Sequence, residues 1–283
     1  KTRHNEASPN QFEIAPLYEE ANLAVDHNLQ LMTILKDVAD RHGFVALLHE
    51  KPFEGVNGSG KHLNWSIGDN TGANYLEPSA SPLRNVTLLM TVATILLGVQ
   101  KYGALLRSAV SDAGNDDRLG SSEAPPGIMS VYLGDYLSKM LNDIETLSKI
   151  SEKKMAEISL GIRQLPSSTK DSSDCNRTAP IAYTGNKFEF RSLGSSQNGS
   201  ELATLINLMV TDGYDIIHDK LVKMKGDPRI NALLVIKELL KDTKNAHFEG
   251  NCYTDEWQKE AAKRGLPNIK DTPAALSMMV TPE

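Results

Sequence analysis

The most apolar run of the chain lies between Leu88 and Val99, twelve residues without a charge. It is only about two-thirds of the length needed to span a bilayer as a helix. Ahead of it, Ser81-Pro82 places a capping hydroxyl before a proline at the first helical position, a strong helix start. The pattern predicts a helix from Pro82 to about Arg107, apolar on nearly all sides, which other elements must wrap. With 283 residues and 40% hydrophobic content, the chain can bury one large core or two modest ones.

Other elements follow from local signals. Phe12-Glu13-Ile14, between Pro9 and Pro16, reads as a short strand, and Asp26 as the cap of a helix running to about Arg41. Phe44 to Leu48 reads as a buried strand, and the alternation from His62 to Ile67 as a half-buried one with a polar face. Residues 111 to 127, rich in Ser, Asp, Gly and Pro, read as a long mobile loop. A helix is predicted from about 128 to 153, and a second polar loop near 164 to 178, of which 166 to 176 is expected to be mobile. Ile181–Tyr183 and Phe188–Phe190 flank Thr184-Gly185-Asn186 in a hairpin pattern. Helices are expected at 201–223, 228–242, 254–264 and 273–280. The mixture lacks regular βαβ alternation, so the fold class is α+β and not a doubly wound sheet.

The net charge of −6 argues against a protein that binds nucleic acid by neutralising phosphates. Two cysteines, Cys175 and Cys252, fit a reducing compartment better than a disulfide framework. No signal-peptide pattern or membrane span is evident, and the expected location is the cytoplasm.

Several residues could carry chemistry. Glu6 and Glu13, separated by a turn at Pro9, could bind a hard divalent cation or be two solvated acids. His62 follows Asn57-Gly58-Ser59-Gly60-Lys61 and could ligate metal or serve structure. That loop lacks the spacing of a P-loop and leads into a strand, so it is not one. Arg118 and Glu123 lie in the 111–127 segment, which could close over a substrate or be an ordinary solvated loop. Lys187, Glu189 and Arg191 alternate with Phe188 and Phe190. That is the pattern of an edge strand, or of a metal carboxylate between two anion-binding cations.

Four blocks in order, 4–13 (HNEASPNQFE), 57–66 (NGSGKHLNWS), 114–126 (GNDDRLGSSEAPP) and 176–191 (NRTAPIAYTGNKFEFR), resemble the glutamine synthetase family. The last block, with Trp257 and Arg264-Gly265-Leu266-Pro267-Asn268, resembles its type III branch. The resemblance implies a glutamine synthetase/guanido kinase-like catalytic domain: an antiparallel curved sheet packed with helices, and a helical carboxyl-terminal region. It divides the chain into a catalytic domain at 1–200 and a helical part of the same unit at 201–283. It implies ATP-dependent ligation of ammonia to the γ-carboxylate of L-glutamate through γ-glutamyl phosphate, with two or more Mg²⁺ or Mn²⁺ ions per site and ATP as co-substrate.

The resemblance also assigns residues. Glu6 and Glu13 match carboxylates on one metal, and His62 and Glu189 match ligands of the second. Asn57, Gly58, Arg118 and Arg191 match the glutamate site; Asn64, Ser66 and Lys187 match the nucleotide site. Arg177 matches an arginine on the transferred phosphate, and Glu123 the carboxylate that takes a proton from ammonium. Asp117 and Cys175 stand where the type III pattern usually has His and Arg, which leaves fewer cations nearby. The family forms homo-oligomeric rings, a dodecamer by resemblance. The chain opens at Lys1 inside a motif, so it is expected to be an amino-terminally truncated piece, inactive alone. The alternatives are a non-catalytic member of the fold and a ligase joining glutamate to another amine.

Overall fold

The computed structural model describes residues 2–121, 124–146 and 178–280, and of residues 2–4, 82 and 83 the backbone alone. In chain order the elements are β1 (Thr2–Asn5), β2 (Phe12–Ala15), α1 (Ala21–Arg41), β3 (Gly60–Trp65), α2 (Pro82–Ser108), α3 (Ala113–Arg118), β4 (Val131–Tyr132), α4 (Asp135–Thr146), β5 (Ile181–Tyr183), β6 (Phe188–Gly194), α5 (Ser200–Leu221), α6 (Pro228–Thr243), α7 (Asp255–Lys263) and α8 (Thr272–Ser277).

The apolar helix is central. Leu88, Leu89, Val92, Ala93, Ile95, Leu96 and Val99 of α2 are all buried, with α5 and α6 packed against the helix. Its length and hydropathy would also suit a membrane span, but here more than half of that stretch is buried in protein. Gly98 of α2 faces Met209, and Gly213 of α5 faces Thr94. Each helix thus offers a glycine where the other needs room, and the two backbones approach closely.

Two sheets are present among the described residues. β1 and β2 form an antiparallel hairpin with His4 opposite Glu13 and Asn5 opposite Phe12. The larger sheet has the order β3-β6-β5-β4. β3 pairs antiparallel with β6, Asn64 opposite Glu189, with an irregularity between Lys61 and Leu63. β5 pairs antiparallel with β6, but β4 runs parallel to β5. The sheet is therefore mixed rather than antiparallel throughout. Its inner face carries Phe188 and Phe190, both buried, with Trp65 stacked on Phe188 at 5.5 Å between ring centroids.

Three expectations are corrected. In place of the helix expected from 128 to 153, residues 128–146 hold a short strand, β4, followed by α4, with Gly134 at φ 81° making the break between them; residues 147–153 lie outside the described residues. A short apolar run does not by itself distinguish strand from helix. Phe44 to Leu48 is not a buried strand: Phe44 is 73% and Val45 82% exposed, and no strand pairs with this segment among the described residues. An apolar run buries itself only where a neighbour covers it. Asp26 lies inside α1, whose cap is Glu20, accepting from the Leu23 N–H at 3.2 Å. The loop near 164–178 lies outside the described residues save Thr178.

Candidate functional site

The outer face of the β3–β6 pair gathers the polar residues that alternate along both strands. On β3, Leu63 and Trp65 face the core while His62 and Asn64 are exposed. On β6, Glu189 and Arg191 are half-buried between the buried Phe188, Phe190 and Ser192. Because alternate residues share a face, His62, Asn64, Glu189 and Arg191 lie on the same side of the sheet. His62 lies where the pair shifts register, opposite Arg191 and Ser192 of β6, and its Nδ1 stands 2.8 Å from Glu189 Oε1. Ser66 is exposed just beyond β3, and Lys187 is half-buried just before β6.

The loop before β3 is held from two sides. Ser8 Oγ donates to the Asn57 carbonyl at 2.6 Å, and Gln11 Nε2 to the Gly58 carbonyl at 3.0 Å. The β1–β2 hairpin, with Glu6 and Glu13 exposed on it, is thereby tied to the loop that leads to His62. From the other side, Ser59 N–H donates to the Glu50 carbonyl at 2.8 Å. The buried Glu50 carboxylate accepts from Ser196 N–H and Oγ at 2.8 and 2.6 Å. Lys61 donates to Gln197 O at 2.6 Å and to Asn28 Oδ1 of α1 at 3.0 Å. Burial pulls the Lys61 pKa below its ordinary value, partly opposed by the Glu50 charge.

Arg118 ends α3. It is buried: Nη1 donates to Asn115 Oδ1 at 2.9 Å and Nη2 to the Arg191 carbonyl at 3.2 Å. Asn115 is fully buried and donates to Val110 O at 2.8 Å and Ser192 O at 2.9 Å. The start of the segment expected to be a mobile loop is thus an anchored helix, because Asp112 caps it at the Gly114 N–H and Asn115 satisfies the carbonyls of Val110 and of Ser192 in β6 together.

Of the four residues expected to hold metal, the structure brings His62 and Glu189 together. Glu6 and Glu13 stand on the hairpin and do not join them in one cluster. Among the described residues no group of three or more His, Cys, Asp or Glu side chains is placed to hold an ion. The hairpin that carries Glu6 and Glu13 is a sheet of its own, tied to the loop before β3 by side-chain hydrogen bonds from Ser8 and Gln11. An imidazole nitrogen and a carboxylate oxygen at 2.8 Å do fit adjacent corners of a shell with bonds of about 2.0–2.2 Å. Glu123 and Arg177 lie outside the described residues. Sequence reasoning misses Glu50, Asn115 and Gln197. For Glu50 the available signal is a carboxylate directly after an apolar run, at Leu47-Leu48-His49-Glu50.

Residues 1–111 match the family model for the glutamine synthetase catalytic domain, and residues 231–283 the model for the glutamine synthetase C-terminal domain. The chain is 44% identical to the type-3 glutamine synthetase of Dictyostelium discoideum over 282 residues, covering 98% of this chain and 38% of that protein. The chain belongs to the glutamine synthetase family. It is 43% identical to a glutamine synthetase of Butyrivibrio fibrisolvens, covering 100% of this chain and 40% of the other. With a glutamine synthetase of Bacteroides fragilis the identity is 44%, covering 98% and 39%. The chain thus spans 38–40% of the length of these glutamine synthetases. The α+β class expected from sequence is the class observed, a mixed sheet packed with helices.

Proposed function

We propose that the protein joins ammonia to the γ-carboxylate of L-glutamate at the expense of ATP, through γ-glutamyl phosphate, giving glutamine, ADP and phosphate in the cytoplasm. The observation that carries this reading is the pairing of His62 with Glu189 on the outer face of β3–β6, flanked by Asn64 and Arg191, in a chain of this family. Divalent Mg²⁺ or Mn²⁺ supplies charge neutralisation for the phosphates when bound. His62 and Glu189 would hold one ion, and Glu6 and Glu13 the other.

The remaining roles belong to the chain's own groups. Asn57 and Gly58, fixed by Ser8 and Gln11, present a rigid backbone edge to glutamate. Arg118 and Arg191 neutralise its carboxylates, and Asn64, Ser66 and Lys187 face the nucleotide. Arg177 steadies the phosphoryl group in transfer, where preorganised positive charge contributes most. Glu123 takes the proton from ammonium, and its segment keeps water from the acyl phosphate. A ring-shaped homo-oligomer fits the family.

The test is glutamine formation from glutamate, ammonium and ATP with Mg²⁺ or Mn²⁺, measured on the protein at the full length of its relatives. Substituting other amines for ammonium separates a synthetase from a broader glutamate–amine ligase. ATP binding without turnover would favour a non-catalytic member and overturn the proposal.

A further inference from the structure

A buried cation links the end of α2 to both α3 and the carboxyl-terminal segment. Arg107 is 1% exposed, in the last turn of α2. Its Nε donates to the Ile269 carbonyl at 3.0 Å, Nη1 to Ser111 Oγ at 3.3 Å, and Nη2 to the Lys270 carbonyl at 3.4 Å. Nη2 also meets Asp116 Oδ1 at 2.6 Å. The second oxygen of Asp116 accepts the Thr272 N–H at 2.6 Å. The Asp116 carboxylate therefore spans Arg107 on one side and the start of α8 on the other.

Asp116 lies within α3 beside Asn115 and two residues before Arg118. Asn115 and Arg118 fasten α3 to β6, through Ser192 O and Arg191 O. Asp116 fastens the same short helix to the carboxyl-terminal segment. A helix of six residues holds no conformation without tertiary support, so its placement is set by these two attachments. The chain leaving α3 returns to the same clamp at Gly127, where an added Cβ would lie 2.5 Å from Ile269 O and 3.1 Å from Arg107 Nε.

We propose that Asp116 is a positioning residue: through Arg107 and Thr272 it uses the carboxyl-terminal segment to set where Arg118 stands in the glutamate site. This rests on the assignment of Arg118 to glutamate binding. The carboxyl-terminal family domain thereby acts on substrate affinity without touching substrate. Removing the charge of Asp116 leaves Arg107 buried beside a neutral group, and buried arginines keep their proton. Relief comes from moving α3 or Arg107, and either movement displaces Arg118.

The experiment uses the protein at full length with D116N, R107K and the double variant R107M/D116L. For D116N we expect the KM for glutamate to rise about tenfold while the KM for ATP moves less than about twofold. R107M/D116L removes both charges together, so no lone buried charge is left behind, yet its glutamate KM stays high. General damage would lower kcat through loss of active protein and leave both KM values alone. A D116N variant with unchanged glutamate KM, or with both KM values raised equally, would overturn the proposal. R107K keeps the charge but not the forked geometry, and is read the same way if D116N does not fold. Hydrogen exchange provides a readout that needs no catalysis. Amides of 113–118 should exchange faster in D116N while those of α5 do not, and equal protection in wild type and D116N would overturn the clamp even if the wild-type protein makes no glutamine.

Discussion

The backbone of Gly60 lies against the guanidinium of Arg118, so closely that a Cβ at position 60 would overlap Nη2 and Cζ. The first residue of β3 and the last of α3 are thus fitted to each other. The guanidinium cannot simply swing away, because Asn115 Oδ1 and Arg191 O hold it in place.

Gly60→Ala should destabilise the fold by about 1–3 kcal/mol, the usual cost of overpacking, because the added Cβ meets the buried Arg118 guanidinium. Urea denaturation measures it. Combining Gly60→Ala with Arg118→Ala should cost less than the sum of the two single changes, since the second removes the group the first collides with. Strict additivity would mean that the contact does not govern the fit.

His62→Ala and Glu189→Gln should each weaken Mn²⁺ binding to the full-length protein by about tenfold or more, as expected when a ligand or its direct partner is lost. Titration calorimetry without nucleotide reads this independently of turnover. Mn²⁺ should also raise the melting temperature of the wild type and do so less in either variant. Equal shifts in all three proteins would remove this pair from the metal site.

Glu249 governs an acid limb of stability. Burial alone would raise its carboxyl pKa, but the hydrogen bonds from His247, Leu133 N–H and Ser138 outweigh burial and hold it below its ordinary value of 4.5. A depressed folded-state pKa stabilises the fold above the unfolded value, and that stability is lost as pH falls through the folded one. Wild type should therefore lose stability below about pH 4.5 more steeply than Glu249→Gln, as followed by thermal melts between about pH 6 and pH 3.

Trp257 on α7 is buried and stacked on Phe248 at 3.7 Å between centroids, with Arg264 against both rings. Trp257→Ala should cost about 3–5 kcal/mol and Trp257→Phe markedly less, because the phenyl ring leaves a smaller cavity. Denaturant midpoints at constant slope would establish the order.

Legibility in the sequence follows how local each cause is. The helix starts at Pro82 and Pro228 are readable, because proline after a capping residue is a signal within two positions. The hairpin at Gly185 is readable for the same reason, and its φ of 97° shows why glycine stands there. The polar face of β3–β6 is written in period-two alternation, which puts His62 and Asn64 on one face of their strand and Glu189 and Arg191 on one face of theirs. What escapes depends on distant partners. Phe44–Leu48 has the composition of a strand, but pairing decides whether it becomes one. Arg107 looks like an ordinary last-turn cation, and its partners lie in α3 and at 269–270. Glu50 and Gln197 are held through contacts with segments far along the chain, and no local pattern announces them.

The pairing of β3 with β6 also has a temporal meaning. His62 and Glu189 belong to strands separated by α2, α3, β4, α4 and β5, yet they meet side by side in the sheet. Closing so long a loop costs entropy before any contact offsets it, and non-local strand pairing is slow for that reason. During synthesis β3 leaves the ribosome with its hydrogen-bonding edge unmatched and must wait for β6, while α2 can begin to form from local contacts alone. The two residues proposed to share an ion are therefore joined late, and a nascent chain that stalls before β6 exposes both an unpaired strand and half of the proposed pair.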